Sequence, residues 1–337
     1  MTAACPHDSE LAAAAVETGA THVGWEATRE PGLRSFAEAR SLAAILRSCR
    51  PQIVHLHSSK AGLAGRLVLR GRVPTVFHPH GWSFDAVDGM VGRGAIAWER
   101  VASRWSDAVV CVSETERRRA EDRGVRARWQ VVPNGVDLSH FEFSSADDRR
   151  KARTELDLPD QPFAVCIGRL CDAKGQDALL AAWPAVLERV PGARVVLVGE
   201  GPDRPALEAM AVSGVELVGH AVDVRPWLAA ADVVAVPSRR EGMSFAMIEA
   251  MASGRSVVAT DVPGAREALG DDAGAIVAVG DRMGLATTLA ERLLDGSLAS
   301  REGLAGRRRA ERQHDLRQAT EAIAKVYEGV LAGRYTP

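Results

Sequence analysis

The sequence predicts an α/β protein made of two doubly wound domains, each with a parallel sheet. Short apolar, β-branched runs alternate with amphipathic stretches along almost the whole chain, as they do when helices cover a parallel sheet. The length of 337 residues suits about two domains of ~100–200 residues each. The predicted strands are 52–56, 75–78, 108–112, 129–132, 163–167, 194–198, 215–218, 232–236, 256–260 and 275–277.

A polar, strand-poor stretch at residues 142–160 separates two series of strands and marks the domain boundary. We therefore predict an N-terminal domain over residues 1–142 and a C-terminal domain over residues 143–317. The last helical stretch lies within residues 318–337 and is amphipathic. It either completes the second domain or packs back on the first.

Composition and charge narrow the class of protein. The hydrophobic fraction of 46%, the charged fraction of 26% and the net charge of −2 are ordinary for a globular protein and do not favour nucleic-acid binding. The sequence shows no signal peptide, and no apolar run approaches the ~20 residues that span a bilayer, so we expect a cytoplasmic protein. The five cysteines lack CxxC spacing, and Cys111 and Cys166 are expected to be core residues within strands.

The segment 237–250 carries the most specific chemistry. The apolar run before it is typical of a buried parallel strand, which places Glu241 in a loop, Ser244 near the start of a helix and Glu249 inside that helix. The free N–H groups of a helix N-terminus attract phosphate. Carboxylates accept hydrogen bonds from sugar hydroxyls. The combination predicts a ligand that carries both phosphates and sugars.

A second candidate phosphate site follows the strand 163–167. Gly168 permits a tight exit from the strand, and Gly175 permits a close backbone approach. Arg169 and Lys174 place two cations beside a helix N-terminus, which suits a diphosphate. The alternative is a surface loop with solvated charges, and pairing with the Glu241 segment favours phosphate binding.

Four histidines follow or end two strands of the N-terminal half. His80 comes just after the end of the strand 75–78 and precedes Gly81 in a loop at the predicted ligand edge, so it is a candidate for the catalytic cleft. His55 with His57, and His78 with His80, form HxH pairs whose members share a strand face. Because no carboxylate or cysteine cluster of metal-ligand spacing accompanies them, we predict no metal site.

Other motifs are less specific. Ser59 is a candidate helix cap and Lys60 a candidate anion contact, with a solvated lysine as the alternative. The turn at residues 133–137 contains Asn-Gly, which tolerates positive φ, and the GxG at residues 199–201 lacks the third glycine of a dinucleotide-binding loop. The arginine-rich stretch 117–128 contains interleaved acidic residues. This mixture favours a solvated helix face, and a membrane-surface patch is the second interpretation.

In this order and spacing, the motifs resemble glycosyltransferase family 4, the retaining enzymes of the GT-B fold. The resemblance covers nearly the whole chain and implies two Rossmann-like domains that face each other across a cleft, an acceptor-side domain first and a donor-binding domain second. The matching elements are Gly81 after His80, the turn at 133–137, the loop from Gly168 to Gly175, and Glu241 and Glu249 followed by residues 250–254.

The resemblance also implies a role for each site residue. Arg169 and Lys174 would hold the donor diphosphate, Glu249 would bind the ribose, and Glu241 would bind hydroxyls of the transferred sugar. His80 would reach the donor sugar near the reacting centre. The leaving phosphate would help to deprotonate the acceptor, without a protein nucleophile, a metal or another cofactor. Further donor contacts would come from Gly168, Gly242, Met243 and Ser244, and acceptor-side contacts from Ser59 and Lys60.

The chain departs from the family pattern at two places. The family usually has Phe-Gly-Leu-Pro where residues 243–246 are Met-Ser-Phe-Ala, and we expect Ser244 to cap the helix. Family members also begin with a strand, a glycine-rich loop and a helix before the segment that resembles residues 2–6. We therefore expect an N-terminal domain that lacks its first strand and helix, through a misplaced start codon or a natural truncation.

The leading hypothesis is a transferase that moves a hexose-type sugar from a UDP or GDP donor. The acceptor would belong to a cell-surface polysaccharide, a glycolipid or a glycosylated metabolite. The candidate acceptors are lipid-linked molecules, saccharides and small molecules, and peripheral contact with the inner face of the membrane is a further candidate interaction. The alternatives are a GT-B nucleotide-sugar epimerase or sugar-phosphate synthase, and a non-catalytic subunit that binds nucleotide sugars.

Overall fold

The computed structural model describes residues 1–28 and 34–333. Residues 334–337 of the predicted C-terminal stretch lie outside the described residues. The chain forms two compact units. The first comprises Met1–Cys111, Glu116–Val132 and Ala322–Pro337, and the second comprises Val112–Thr115 and Pro133–Glu321.

Within its described residues, the first unit contains two parallel sheets. One sheet pairs β1 with β2, and the other has the order β3-β4-β5-β6. The strands are β1 (Thr2–Cys5), β2 (Thr21–Gly24), β3 (Val54–His57), β4 (Thr75–His78), β5 (Ala108–Cys111) and β6 (Trp129–Val131). The helices are α1 (Glu10–Glu17), α2 (Arg34–Cys49), α3 (Ser58–Leu69), α4 (Gly89–Ala102) and α5 (Glu114–Asp122), whose first residues belong to the second unit.

The core of the larger sheet in the first unit surrounds Phe77 of β4, which is fully buried. A buried ion pair lies beside this core: the guanidinium of Arg66 donates two hydrogen bonds, of 2.8 and 3.0 Å, to the carboxylate of Glu99. The same guanidinium lies 3.8 Å from the centroid of the Phe77 ring. The pair therefore ties α3 to α4 over the sheet.

The second unit has one six-stranded sheet in the order β12-β11-β10-β7-β8-β9, with parallel pairing throughout. The strands are β7 (Phe163–Ile167), β8 (Arg194–Val198), β9 (Val215–Gly219), β10 (Val233–Val236), β11 (Ser256–Thr260) and β12 (Gly274–Val277). The helices are α6 (Ala146–Glu155), α7 (Gln176–Arg189), α8 (Arg204–Ala209), α9 (Arg225–Ala230), α10 (Phe245–Ala252), α11 (Ala265–Leu269), α12 (Arg282–Leu294), α13 (Gly296–Gln313) and α14 (Leu316–Leu331). The last helix continues into the first unit.

Alternate residues of β7 contribute to two hydrophobic clusters, as expected for a strand covered on both faces. Val165 belongs to one cluster, and Ala164 and Cys166 belong to the other. The predicted core positions of Cys111 and Cys166 are confirmed, and all five cysteines are free thiols.

The strand order reverses between β7 and β10, because the chain leaves β7 towards β8 and returns to the other side of β7 at β10. In doubly wound sheets, ligands bind beyond the carboxyl ends of the strands at such a reversal. The two segments that the sequence singles out for phosphate chemistry begin at the ends of these two strands, after Ile167 and after Val236.

Candidate functional site

The loops that follow β7 and β10 are bonded to each other through their backbones. The N–H groups of Arg239 and Arg240 both donate to the carbonyl of Ala173, at 2.8 and 3.2 Å. Gly175 has φ of +68°, and a Cβ there would lie 2.2 Å from the carbonyl oxygen of Pro237. Only glycine fits this approach, so the predicted reason for Gly175 is correct and its contact is the neighbouring loop.

Side chains hold the same two loops together. The guanidinium of Arg239 donates two hydrogen bonds, of 2.7 and 2.6 Å, to the carboxylate of Asp177 in the first turn of α7. This pairing raises the pKa of Arg239 and lowers that of Asp177. Arg240 pairs with Asp172 at 2.6 Å. The sequence analysis missed these contacts, although the adjacent arginines were visible in the motif.

Lys174 and Glu241 meet at the centre of the two loops. The ammonium of Lys174 donates to Oε1 of Glu241, and the hydroxyl of Ser238 donates to the same oxygen at 2.9 Å. The side chains of Lys174 and Glu241 are 28% and 13% exposed, so the pair is accessible to a ligand but partly withdrawn from water. The structure thus joins a candidate phosphate contact to a candidate sugar contact.

Glu249 lies one turn inside α10 and is partly buried. Burial raises the pKa of its carboxyl, and the charge of Lys174 acts in the opposite direction. The carboxylate of Glu249 therefore interacts electrostatically with the ammonium of Lys174. Arg169 is exposed, and within the described part of the chain its guanidinium has no hydrogen-bond or ion-pair partner.

The expected cap of α10 is absent. Ser244 occupies the N-cap position as predicted, but its side chain makes no capping hydrogen bond. Its hydroxyl is buried, and among residues 1–28 and 34–333 it has no partner. Gly242 and Met243, which precede it, are buried as well. The first N–H groups of α10 therefore lack a side-chain acceptor from Ser244 and keep their capacity to bind an anion.

Glycines explain how the loop after β7 is packed. Gly168 has φ of +149°, in keeping with the predicted tight exit from the strand. A Cβ on Gly199 would lie 2.0 Å from the carbonyl oxygen of Gly168, and one on Gly201 would lie 2.1 Å from that of Leu170. The GxG motif after β8 therefore lets this loop sit against the one after β7.

Asn134 is a supporting residue that the sequence analysis treated only as part of a turn. Its side-chain amide is buried and donates to the carbonyl of Met243 at 3.0 Å. Neither Asn134 nor Gly135 adopts the positive φ that these residue types tolerate. Glycine is required at residue 135 for another reason, because a Cβ there would lie 2.7 Å from the Cα of Leu316.

His80 stands in the first unit, in the turn that follows β4. Its backbone is left-handed, with φ of +53°, which is uncommon for residues other than glycine and often accompanies functional sites. The N–H of Gly81 donates to the carboxylate of Glu116, and Nε2 of His80 lies 3.0 Å from Nδ1 of His57. Desolvation and the neighbouring His57 lower the pKa of His80 to about 4.

Two expectations about the first turn of α3 are wrong. The N-cap is His57, without a side-chain cap bond, and Ser59 instead directs its hydroxyl towards the carbonyl of Gly81 at 3.5 Å. Lys60 is not solvated: it is 9% exposed, and its ammonium lies 2.7 Å from the carboxylate of Glu38. The positive charge of Lys60 is therefore already compensated inside the unit.

Two family models match the chain. The model for glycosyltransferase family 4 matches residues 1–140, and the model for glycosyl transferases group 1 matches residues 161–295. A relative from Mycolicibacterium smegmatis, a GDP-mannose-dependent α-(1-6)-phosphatidylinositol monomannoside mannosyltransferase, is 32% identical over 75% of this chain and 68% of its own length. The chain belongs to glycosyltransferase family 4. It is a glycosyltransferase of the hexosyltransferase type.

A D-inositol 3-phosphate glycosyltransferase from Xylanimonas cellulosilytica is 33% identical over 82% of this chain and 71% of its own length. Among solved structures, HepE from Anabaena in complex with UDP and glucose superposes with a TM-score of 0.83 at 20% identity, covering 97% of this chain and 91% of that one. Sucrose-phosphate synthase from Thermosynechococcus elongatus gives 0.80 at 22% identity, covering 94% and 84%. These neighbours establish the GT-B fold. Among the described helices, none has the length and apolar character needed to span a bilayer.

Proposed function

We propose that this family 4 glycosyltransferase transfers a hexose from a nucleoside-diphosphate sugar, with retention of anomeric configuration, to a hydroxyl group of an acceptor used in cell-surface glycolipid or polysaccharide synthesis. The observation that carries the proposal is the contact between the loops that follow β7 and β10, where the strand order reverses. There a cation, Lys174, and a carboxylate, Glu241, are held together beside the N-terminus of α10. A nucleotide sugar presents both a diphosphate and hydroxyl groups to such a site.

Each of the site residues is proposed to contact a different part of the donor. Arg169, which is exposed, and Lys174 are proposed to bind the diphosphate oxygens, since both side chains only donate hydrogen bonds. Glu241 is proposed to accept from hydroxyls of the hexose, and Glu249 from the ribose. His80 is proposed to contact the donor sugar, the role that the family resemblance implies.

The reaction breaks the bond between the anomeric carbon and the diphosphate oxygen and forms one between that carbon and the acceptor oxygen. In the proposed retaining route, the departing diphosphate takes the acceptor's proton on the same face of the sugar. The lysine and arginine stabilise the negative charge that develops on the leaving oxygens. Loss of one such preorganised donor typically slows catalysis by ~10²–10³-fold.

The curated relatives guide the choice of substrates. Several are named as GDP-mannose-dependent mannosyltransferases that act on phosphatidylinositol mannosides, and others as inositol-phosphate glycosyltransferases. GDP-mannose and UDP-hexoses are therefore the donors to test first, with inositol phosphates and phosphatidylinositol mannosides as acceptors. A hydroxyl-rich, phosphate-bearing acceptor is common to both groups of relatives.

The test incubates the purified chain with GDP-mannose or a UDP-hexose, with and without each acceptor, and measures nucleoside diphosphate release and the anomeric configuration of the product. Acceptor-dependent release and an α-linked product from an α-linked donor support the proposal. A product of inverted configuration contradicts the retaining route. Conversion of the donor without an acceptor indicates an epimerase, and tight nucleotide binding without turnover indicates a non-catalytic subunit.

A further inference from the structure

Three imidazole rings from adjacent strands converge in the first unit. β3 places His55 and His57 two positions apart, on one face, and the strand register places His78 of β4 directly beside His57. One nitrogen from each of the three rings lies within 4.8 Å of the other two. The sequence analysis dismissed a metal here because no additional ligand type was near in sequence, whereas the sheet itself supplies the third histidine.

The buried ring nitrogens of this cluster are not satisfied by the protein. His78 is 6% exposed, and across residues 1–28 and 34–333 neither of its ring nitrogens has a hydrogen-bond partner. Nε2 of His55 is in the same condition. An unpaired buried polar group costs roughly 1–3 kcal/mol, so a buried imidazole with two open nitrogens calls for a ligand that the protein does not supply.

An imidazole with the ordinary histidine pKa of about 6.5 is mainly neutral at pH 7. A neutral imidazole offers a nitrogen lone pair, as metal ligation requires.

Outer hydrogen bonds orient two of the rings. Nδ1 of His55 lies 2.6 Å from the hydroxyl of Tyr327 in α14, and Nδ1 of His57 lies 3.0 Å from Nε2 of His80. With Nδ1 as the donor in each bond, Nε2 keeps its lone pair for a metal. Such partners on the far nitrogen are the usual support of metal-binding histidines.

We propose that His55, His57 and His78 form a binding site for a divalent transition-metal ion, with Zn²⁺ as the ion that fits best. Three neutral imidazoles without a carboxylate are a ligand set suited to zinc, and a fourth position would remain open. Bonds of about 2.0–2.1 Å in a tetrahedral site bring the ligating nitrogens to roughly 3.4 Å from one another, so the rings close together by side-chain rotation. The proposal does not rest on the proposed donor chemistry, although His57 is bonded to His80.

The experiment uses tag-free, full-length protein stripped of metal with a chelator. Titration with Co²⁺ is followed by visible absorption, and Zn²⁺ affinity is obtained by competition. One equivalent of Co²⁺ with the strong bands of a four-coordinate ion, displaced by one equivalent of Zn²⁺, supports the site. A wild-type chain without such bands, or one that binds only in large excess, overturns it.

Variants assign the ligands. His78→Gln abolishes the Co²⁺ bands, whereas His140→Gln, at an exposed histidine outside the cluster, leaves them unchanged. Because His78→Gln alters a buried position, Tyr327→Phe provides a second, milder test: the ligands remain and affinity for Zn²⁺ falls about 10–100-fold. Equal affinity in the wild-type, His78→Gln and Tyr327→Phe proteins would place any bound metal elsewhere and refute the assignment.

Discussion

Replacement of Lys174 by methionine removes the cation at the joint of the two loops while keeping a flexible side chain of similar length. In the structure, the ammonium of Lys174 is bonded to Glu241 and its charge acts on Glu249. If Lys174 stabilises the leaving diphosphate, the variant lowers kcat by ~10²–10³-fold. We expect the change in kcat rather than in KM, because the charge on the leaving oxygen develops in the transition state.

The effect on stability is much smaller. Both partners of the ion pair remain partly exposed, with 28% of the Lys174 side chain and 13% of the Glu241 side chain accessible. Glu241 also keeps its hydrogen bond from Ser238 when the lysine is removed. We expect a loss of about 1 kcal/mol, as for a partly solvated pair, and a Tm lower by about 2–4 °C. A rate loss of two to three orders of magnitude with a nearly intact fold is therefore the predicted signature.

Steady-state kinetics with a nucleotide-sugar donor that supports turnover, together with thermal unfolding, measure the two effects. The matched control is Lys151→Met, which removes a lysine from a solvent-exposed ion pair with Glu155 in the same unit. The control is expected to retain wild-type kcat. A folded Lys174→Met protein with kcat within a factor of about three of wild type would refute the assigned role.

Three further predictions follow from single contacts. Glu249→Gln raises the donor KM by about 10–100-fold, which is the equivalent of one charge-assisted hydrogen bond. Because burial raises the pKa of Glu249, donor affinity of the wild-type protein falls as the pH drops through that raised pKa. In binding titrations the affinity of the variant does not change over the same pH range. Asn134→Ala leaves the carbonyl of Met243 without its buried donor and lowers the free energy of unfolding by about 1–3 kcal/mol in a denaturant titration, and a wild-type midpoint would contradict the structure. Glu99→Ala leaves the buried charge of Arg66 without its partner and lowers the free energy of unfolding by about 3–5 kcal/mol. The double variant Arg66→Met with Glu99→Leu, which replaces both charges by apolar side chains, lowers it less in the same denaturant titration.

The strands that carry the donor site were predictable from the sequence because they are buried on both faces. β7, β8 and β11 of the second unit, and β4 of the first, agree with the prediction at both ends, since each contains an apolar or β-branched run. Strand β2 was missed. Its residues are exposed or only partly buried, so the segment lacks the apolar run that would identify a strand.

The contacts inside the site were not predictable to the same degree. Lys174 and Glu241 are 67 positions apart, and their meeting depends on β10 pairing with β7 rather than following β9 at the sheet edge. The burial of Lys60 depends in the same way on Glu38, a carboxylate in another helix. Ser244 illustrates a different limit: its position at the N-cap was predicted, but the direction of its hydroxyl is decided by packing.

The ion pair between Lys174 and Glu241 is compatible with donor binding, and the count of donors and acceptors explains why. A lysine ammonium has three N–H donors and a carboxylate has about four acceptor sites. Lys174 uses one donor on Glu241, and Glu241 accepts from Lys174 and from Ser238, so two N–H groups and about two acceptor sites remain. We infer that the pair persists when the donor binds: the remaining N–H groups reach the phosphate, and the remaining lone pairs accept from the sugar. The ion pair then fixes the distance between the two recognition groups, which must match the separation of phosphate and hydroxyls in one ligand.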